Sequence, residues 1–102
     1  MTKTEKKIDK LISGALTLVC ESAKEDVNGF LWLTHQVNFS KVSDSLVIRF
    51  MFESQTALSE AIEIGQTQQL ALLSERILNQ HDIKLTQALK QCRFEVVKAI
   101  SK

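Results

Sequence analysis

The stretch FLWLTHQVNF at residues 30–39, followed by LVIRFMF at residues 46–52, decides the fold of this chain. These two runs hold the only Trp and four of the five Phe residues. Aromatic and β-branched residues of this kind are typical of strands, and the polar residues 40–45 between the runs have the length of a longer hairpin loop. The pattern therefore predicts an antiparallel β-hairpin.

The two faces of the predicted hairpin differ in composition. One face carries Leu31, Leu33, His35, Val37 and Phe39 from the first strand and Leu46, Ile48, Phe50 and Phe52 from the second. Strict alternation places Phe30, Trp32, Val47 and Met51 on the opposite face. A strand face in contact with water normally carries polar residues, so we expect something other than water to cover this second face.

The second face is the candidate functional surface. Exposed together, Phe30, Trp32, Val47 and Met51 make a contiguous patch of roughly a few hundred Å², the kind that marks an interaction site. The C-terminal segment, a second copy of the chain or a different protein partner can cover it. We favour a symmetric homodimer, because two-fold homodimers are the commonest oligomers. Trp32 is the expected anchor, with Phe30 and Met51 beside it, since aromatic residues and Met are enriched at interface centres.

Helical periodicity precedes and follows the hairpin. Apolar residues spaced by three and four predict an N-terminal helix over residues 3–28, and Thr2 with Glu5 fits a capping box at its start. A second long helix is predicted over residues 55–79. Gly65 weakens the middle of that helix, so a kink or two shorter helices is an open alternative.

The C-terminal stretch has two interpretations. Residues 84–101 fit one face of a helix, whereas Cys92, Phe94 and Val96 also alternate as a strand face. We favour a short strand near residues 91–96, because a lone two-stranded hairpin is marginal in water and a third strand stabilises it. The prediction for residues 1–102 is a single α+β domain built as a small two-layer sandwich.

Composition and charge describe an ordinary globular chain. Its 102 residues fit one domain, and the formal net charge of +1 gives no strong field toward nucleic acid or an anionic membrane. The sequence shows no secretory signal, and no apolar run approaches the ~20 residues that span a bilayer. Cys20 and Cys92 lie far apart in sequence. We therefore expect reduced thiols and a cytoplasmic location.

The sequence offers little support for catalysis, a cofactor or a metal. Gly14, Gly29 and Gly65 are isolated, so no glycine-rich nucleotide-binding loop can be built from them. His35 is expected in the core and His81 at a helix end. These two histidines and the two cysteines lack the closely spaced pairs that zinc sites use. We expect a non-enzymatic protein without catalytic, cofactor or metal residues.

The alternative function is association with nucleic acid. The predicted order strand–strand–helix–strand over residues 46–97 resembles the layout of KH-like domains and of the small DUF721/DciA-type helicase-associated domains. The resemblance rests on element order, and the GxxG loop of KH domains is missing. It implies nucleic-acid contact, for which the sequence offers a basic C-terminal segment. The residues concerned are Lys84, Lys90, Arg93, Lys98 and Lys102.

Overall fold

A computed structural model describes residues 2–97 of the chain. The helices are α1 (Lys3–Asp26), α2 (Val42–Ser45), α3 (Gln55–Glu63), α4 (Gln66–Gln80) and α5 (Ala88–Gln91), and the strands are β1 (Phe30–Gln36), β2 (Val47–Phe52) and β3 (Cys92–Val96). The predicted α+β class is confirmed. The helices pack on one face of a three-stranded sheet, and the buried apolar side chains form one cluster between the two layers.

The sheet is mixed, with strand order β1-β2-β3. The predicted hairpin is confirmed, because β1 pairs antiparallel with β2. β3 pairs parallel with β2, so the chain crosses from β2 to β3 through α3, α4 and α5. Both β1 and β3 are therefore edge strands. The inward face of β2 is buried as expected, with Ile48, Phe50 and Phe52 fully covered.

The N-terminal helix begins as the sequence predicts. The Thr2 hydroxyl accepts from the Glu5 N–H, and the Glu5 carboxylate accepts from the Thr2 N–H, which completes a capping box. One face of α1 is buried against α4 and β1, through Ile12, Ala15, Leu16, Val19 and Ala23. The helix ends at Asp26, two residues before the predicted end. Gly29 then adopts a left-handed φ of 84°, which turns the chain into β1.

The first strand is shorter than expected, and the connection from β1 to β2 contains a helical turn that was not expected. β1 ends at Gln36 because Asn38 bends the chain out of the ladder. The Asn38 N–H donates to Ser45 Oγ at 2.8 Å, and its side-chain oxygen accepts from the Ser40 N–H at 3.0 Å. These local bonds compete with strand pairing and lead into the single turn of α2, which the sequence pattern did not predict.

The predicted second helix is two helices. Gly65 takes a left-handed φ of 80° between α3 and α4, which is the conformation that glycine adopts without strain. Ser54 caps α3 by accepting from the Ala57 N–H at 3.1 Å. The alternative of two shorter helices is thus confirmed, with the break at the glycine.

The predicted third strand is confirmed at Cys92–Val96, directly after the short helix α5. The buried Gln91 amide fixes this junction to the β1–β2 connection, since its Nε2 donates to the carbonyl oxygens of Ser43 and Leu46, each at 2.9 Å. The part of the helical alternative beyond Val97 lies outside the described residues. None of the helices within residues 2–97 combines the length and apolar character that crossing a bilayer requires.

Candidate functional site: the open face of the sheet

The helices leave one side of the sheet uncovered. We call this side the open face; it carries Trp32, Thr34, Gln36, Val47, Arg49, Met51, Arg93 and Glu95. The strand register sets the neighbours: Trp32 lies opposite Met51, and Thr34 lies opposite Arg49. Met51 in turn lies beside Glu95 of β3. Within the described residues, no further element lies over these side chains.

A β-bulge changes the composition of the open face from the one that alternation predicts. The register of β1 against β2 shifts between Phe30 and Trp32, so that Leu31 is the extra residue. Phe30 consequently turns toward the helices and is 7% exposed, whereas Leu31 is 36% exposed. The expectation that Phe30 shares a face with Trp32 is therefore wrong. Alternation cannot predict this shift, because it assumes one residue of β1 for each residue of β2.

The apolar part of the open face is centred on Trp32. Trp32 is 42% exposed, and the half-buried Met51 lies across from it in the next strand. Val47 lies at the other end of β2, opposite Gln36, and the Thr34–Arg49 pair separates it from Trp32. The four predicted interface residues thus do not form one patch. Trp32 and Met51 form the apolar centre that remains.

Three charged side chains border that centre. Arg49 Nε lies 3.6 Å from Glu95 Oε2, which is an ion pair but too long for a hydrogen bond. Arg93 is the direct neighbour of Arg49 in the parallel register. Like charges side by side repel, and within residues 2–97 Arg93 has no carboxylate partner.

The histidines and cysteines are spread over the fold. His35 Nε2 lies 3.6 Å from Asp9 Oδ1 on α1, and His81 Nδ1 bonds the Ile77 carbonyl at the end of α4. Both cysteines are free thiols, Cys20 half-buried and Cys92 buried. Among residues 2–97, no three His, Cys, Asp or Glu side chains come together as metal ligands would.

Burial governs the chemistry of Cys92. It raises the pKa of the thiol from its ordinary value of 9.0 to about 11; the Ser74 hydroxyl opposes this shift and the Glu75 carboxylate adds to it. A thiol with a raised pKa is a weak nucleophile at neutral pH, because the thiolate is the reactive form. Cys92 therefore acts as a small core residue.

The basic residues of the alternative function do not converge. Lys84 follows α4 and lines a cavity of about 310 Å³ with Arg76 and Asn79. Lys90 lies on α5 beside a different cavity. Arg93 is on the open face, and Lys98 and Lys102 lie outside the described residues.

A second apolar surface lies on the helix side, next to β3. Ile62 and Leu89 are 56% and 58% exposed and line one cavity of about 450 Å³, with Phe94 and Cys92 of β3 in its wall. Ile62 lies on α3, which ends before Gly65, and Leu89 lies on α5, which is one turn long.

Comparison of this chain with known protein families, with curated proteins and with solved structures finds no match. The interpretation of the open face therefore rests on its own residues.

Proposed function

We propose that this protein acts through self-association, and that the open face is the surface on which a second copy packs. The observation that carries the proposal is the position of Trp32, which is 42% exposed at the apolar centre of an uncovered sheet. Large rings that water reaches in the monomer and that a partner can cover are the usual anchors of protein interfaces.

The size of the open face indicates weak association. Strands of five to seven residues, at about 3.3 Å per residue and about 4.8 Å between strands, give a face of roughly 300 Å² in projection. A stable interface buries about 800 Å² of accessible surface on each partner. We therefore propose a reversible, concentration-dependent dimer rather than an obligate one, with a dissociation constant in the micromolar range.

A contact role suits these residues better than a catalytic one. The ionisable groups of the open face are one arginine–glutamate pair and a second arginine, which can steer or orient a partner but supply no nucleophile next to a base. The free thiols of Cys20 and Cys92 suit a reducing compartment, and we propose the cytoplasm.

Sedimentation velocity of three proteins tests the proposal. The wild type should shift toward twice the protomer mass as its concentration rises to about 100 μM. Trp32→Ala should associate less than the wild type at every concentration in that range, because the contact through the open face is lost. Leu18→Ala is the matched control, because Leu18 is 47% exposed on α1, and it should behave as the wild type does. Equal sedimentation of the wild type and Trp32→Ala would refute the proposal.

Single-stranded nucleic acid is the second candidate ligand of this face. Arg49 and Arg93 lie side by side on the same surface as the exposed Trp32 ring, and a stacking ring beside cations is how such ligands are held. Binding of a labelled oligonucleotide should then weaken steeply with salt and weaken in Trp32→Ala. Absence of binding at low salt would remove this candidate.

A further inference from the structure

The free edge of β3 offers unpaired backbone groups at defined residues. The Val97 N–H donates to the Phe52 carbonyl at 3.0 Å, so this group points toward β2. Successive backbone groups of a strand point to alternate sides, so the N–H and C=O of Phe94 and Val96 point to the free edge. Within residues 2–97 no strand pairs with this edge.

We propose that β3 pairs antiparallel with β3 of a second copy, with Phe94 opposite Phe94 and the two-fold axis between them. This register lets the two Phe94 residues exchange both backbone hydrogen bonds. It places Cys92 opposite Val96, where the Val96 N–H can donate to the Cys92 carbonyl, whereas the Cys92 N–H already donates to the Ala88 carbonyl. The two sheets join into one of six strands, with the helices of both copies on the same side. This contact is made through the backbone edge of β3 and uses only Arg93 and Glu95 of the open face, so it does not depend on Trp32 or on the proposed function.

Charge supports this register. Arg93 and Glu95 flank Phe94, so the register sets Arg93 of each copy directly opposite Glu95 of the other. Opposite charges at such positions stabilise strand pairs, and the closer spacing of a non-hydrogen-bonded pair brings the side chains together. Arg93, which has a like-charged neighbour in Arg49 and no carboxylate partner within residues 2–97, gains one.

The apolar side of the edge supports a second copy as the occupant. Leu89 and Ile62, the exposed residues beside Phe94, lie on the helix side of β3. The two-fold axis brings this surface of one copy next to the same surface of the other. Side chains that water reaches in the monomer are thereby partly covered on the face opposite the charge pairs.

Charged residues on edge strands usually deter unwanted pairing. Here the two charges have opposite signs and lie symmetrically about Phe94. A register shifted by two residues either way sets Arg93 opposite Arg93 or Glu95 opposite Glu95, and like charges directly opposite destabilise a pair. The same residues that disfavour other registers therefore favour this one.

Disulfide trapping tests the register directly. Two proteins, one with Arg93→Cys and one with Glu95→Cys, are made with Cys20→Ser and Trp32→Ala, so that packing through Trp32 contributes nothing. Positions 93 and 95 of different copies would lie about 4.5 Å apart between Cα atoms, within disulfide range, whereas two copies of position 93 would be about 7–8 Å apart or more. Under oxidised glutathione, the mixture should give a covalent dimer, and each protein alone should give little.

Charge reversal tests the same contact without new cysteines. In the Trp32→Ala background, Arg93→Glu or Glu95→Arg should weaken dimerisation about tenfold, and the double reversal should restore it. Circular dichroism confirms that each variant is folded. A mixture that cross-links no more than its components, or a double reversal that does not recover association, would overturn the proposal. If these tests failed and Trp32→Ala alone also abolished the association seen in the wild type, packing through the open face would be the only contact supported.

Discussion

Phe30 and Trp32 lie two residues apart in β1 but on opposite sides of the sheet. The extra residue Leu31 between them reverses the alternation. The Phe30 ring packs in the core, with its centroid 6.0 Å from that of Phe50 and 6.1 Å from that of Phe52. The Trp32 ring faces the uncovered side. One bulge thus buries one aromatic residue in the core and leaves the other exposed to water.

This division predicts different costs for the two alanine variants. Phe30→Ala should lower the free energy of unfolding by about 3–5 kcal/mol, because it empties a packed core position. Trp32→Ala should lower it by about 1 kcal/mol, because this residue is already 42% exposed. Urea denaturation followed by circular dichroism, at concentrations too low for association, measures both. Comparable losses at the two positions would contradict the bulged register.

Gly29 and Gly65 form a second matched pair, since both adopt left-handed φ angles, of 84° and 80°. A methyl group on Gly29 would clash with the Ala57 side chain, whereas one on Gly65 would meet no atom within 4 Å. Gly65→Ala should therefore lower the free energy of unfolding by about 1 kcal/mol, from backbone strain alone. Gly29→Ala should lower it by about 2–5 kcal/mol, because overpacking adds to that strain.

The control for this pair is Gly29→Ala combined with Ala57→Gly, which removes the clash and keeps the strain. This double variant should have a higher free energy of unfolding than Gly29→Ala. The recovery should be incomplete, because glycine at position 57 destabilises α3. If the two glycine variants unfold at the same urea concentration, the close approach of Gly29 to α3 is wrong.

The buried Gln91 amide predicts a polar contribution to stability. Its Nε2 donates to the Leu46 carbonyl at 2.9 Å, and its Oε1 accepts from the Gln87 N–H at 2.7 Å. Gln91→Leu fills similar space but leaves both backbone groups without this partner. We therefore expect it to lower the free energy of unfolding by about 2–3 kcal/mol. Gln87→Leu changes an exposed side chain, so its free energy of unfolding should stay within about 0.5 kcal/mol of the wild-type value.

Cys92 predicts a loss of stability in alkali. Its pKa is raised to about 11 in the folded protein, above its ordinary value of 9.0, so the unfolded chain releases this proton first. The contribution of the thiol is therefore complete below pH 9.0 and falls as the pH rises toward 11. The difference in unfolding free energy between the wild type and Cys92→Ala should shrink by about 2–3 kcal/mol over this range. A difference independent of pH would contradict the buried thiol.

Most of the fold could be predicted from the spacing of residues along the sequence. The alternation in residues 46–52 predicts the buried face of β2, and the Thr2–Glu5 spacing predicts the start of α1. Gly65 marks the place where the second helix divides, although the sequence predicted one long helix, with a kink or two shorter helices as the alternative. Cys92, Phe94 and Val96 predict β3 because the hairpin needs a third strand, but its parallel direction depends on the length of the crossover.

The candidate site was harder to predict than the fold. Trp32 and Met51 share the open face, as alternation predicts, and the observed register makes them neighbours. Phe30 does not lie on this face, because a bulge shifts the register beside it. A bulge depends on how two strands pair and twist together, and no residue of β1 indicates it. The exposure of Leu89 likewise depends on α5 ending after one turn, where Gln91 bonds the carbonyls of a loop more than 40 residues earlier in the chain.

Emission of the only tryptophan tests self-association through the open face most directly. Trp32 lies in β1, at the far side of the sheet from β3, so its spectrum reports on the open face and not on the β3 edge. On dilution from about 200 μM to about 1 μM, the emission should shift to longer wavelength and acrylamide should quench it more strongly, because water regains the ring. An unchanged spectrum and unchanged quenching over that range would contradict self-association through this face.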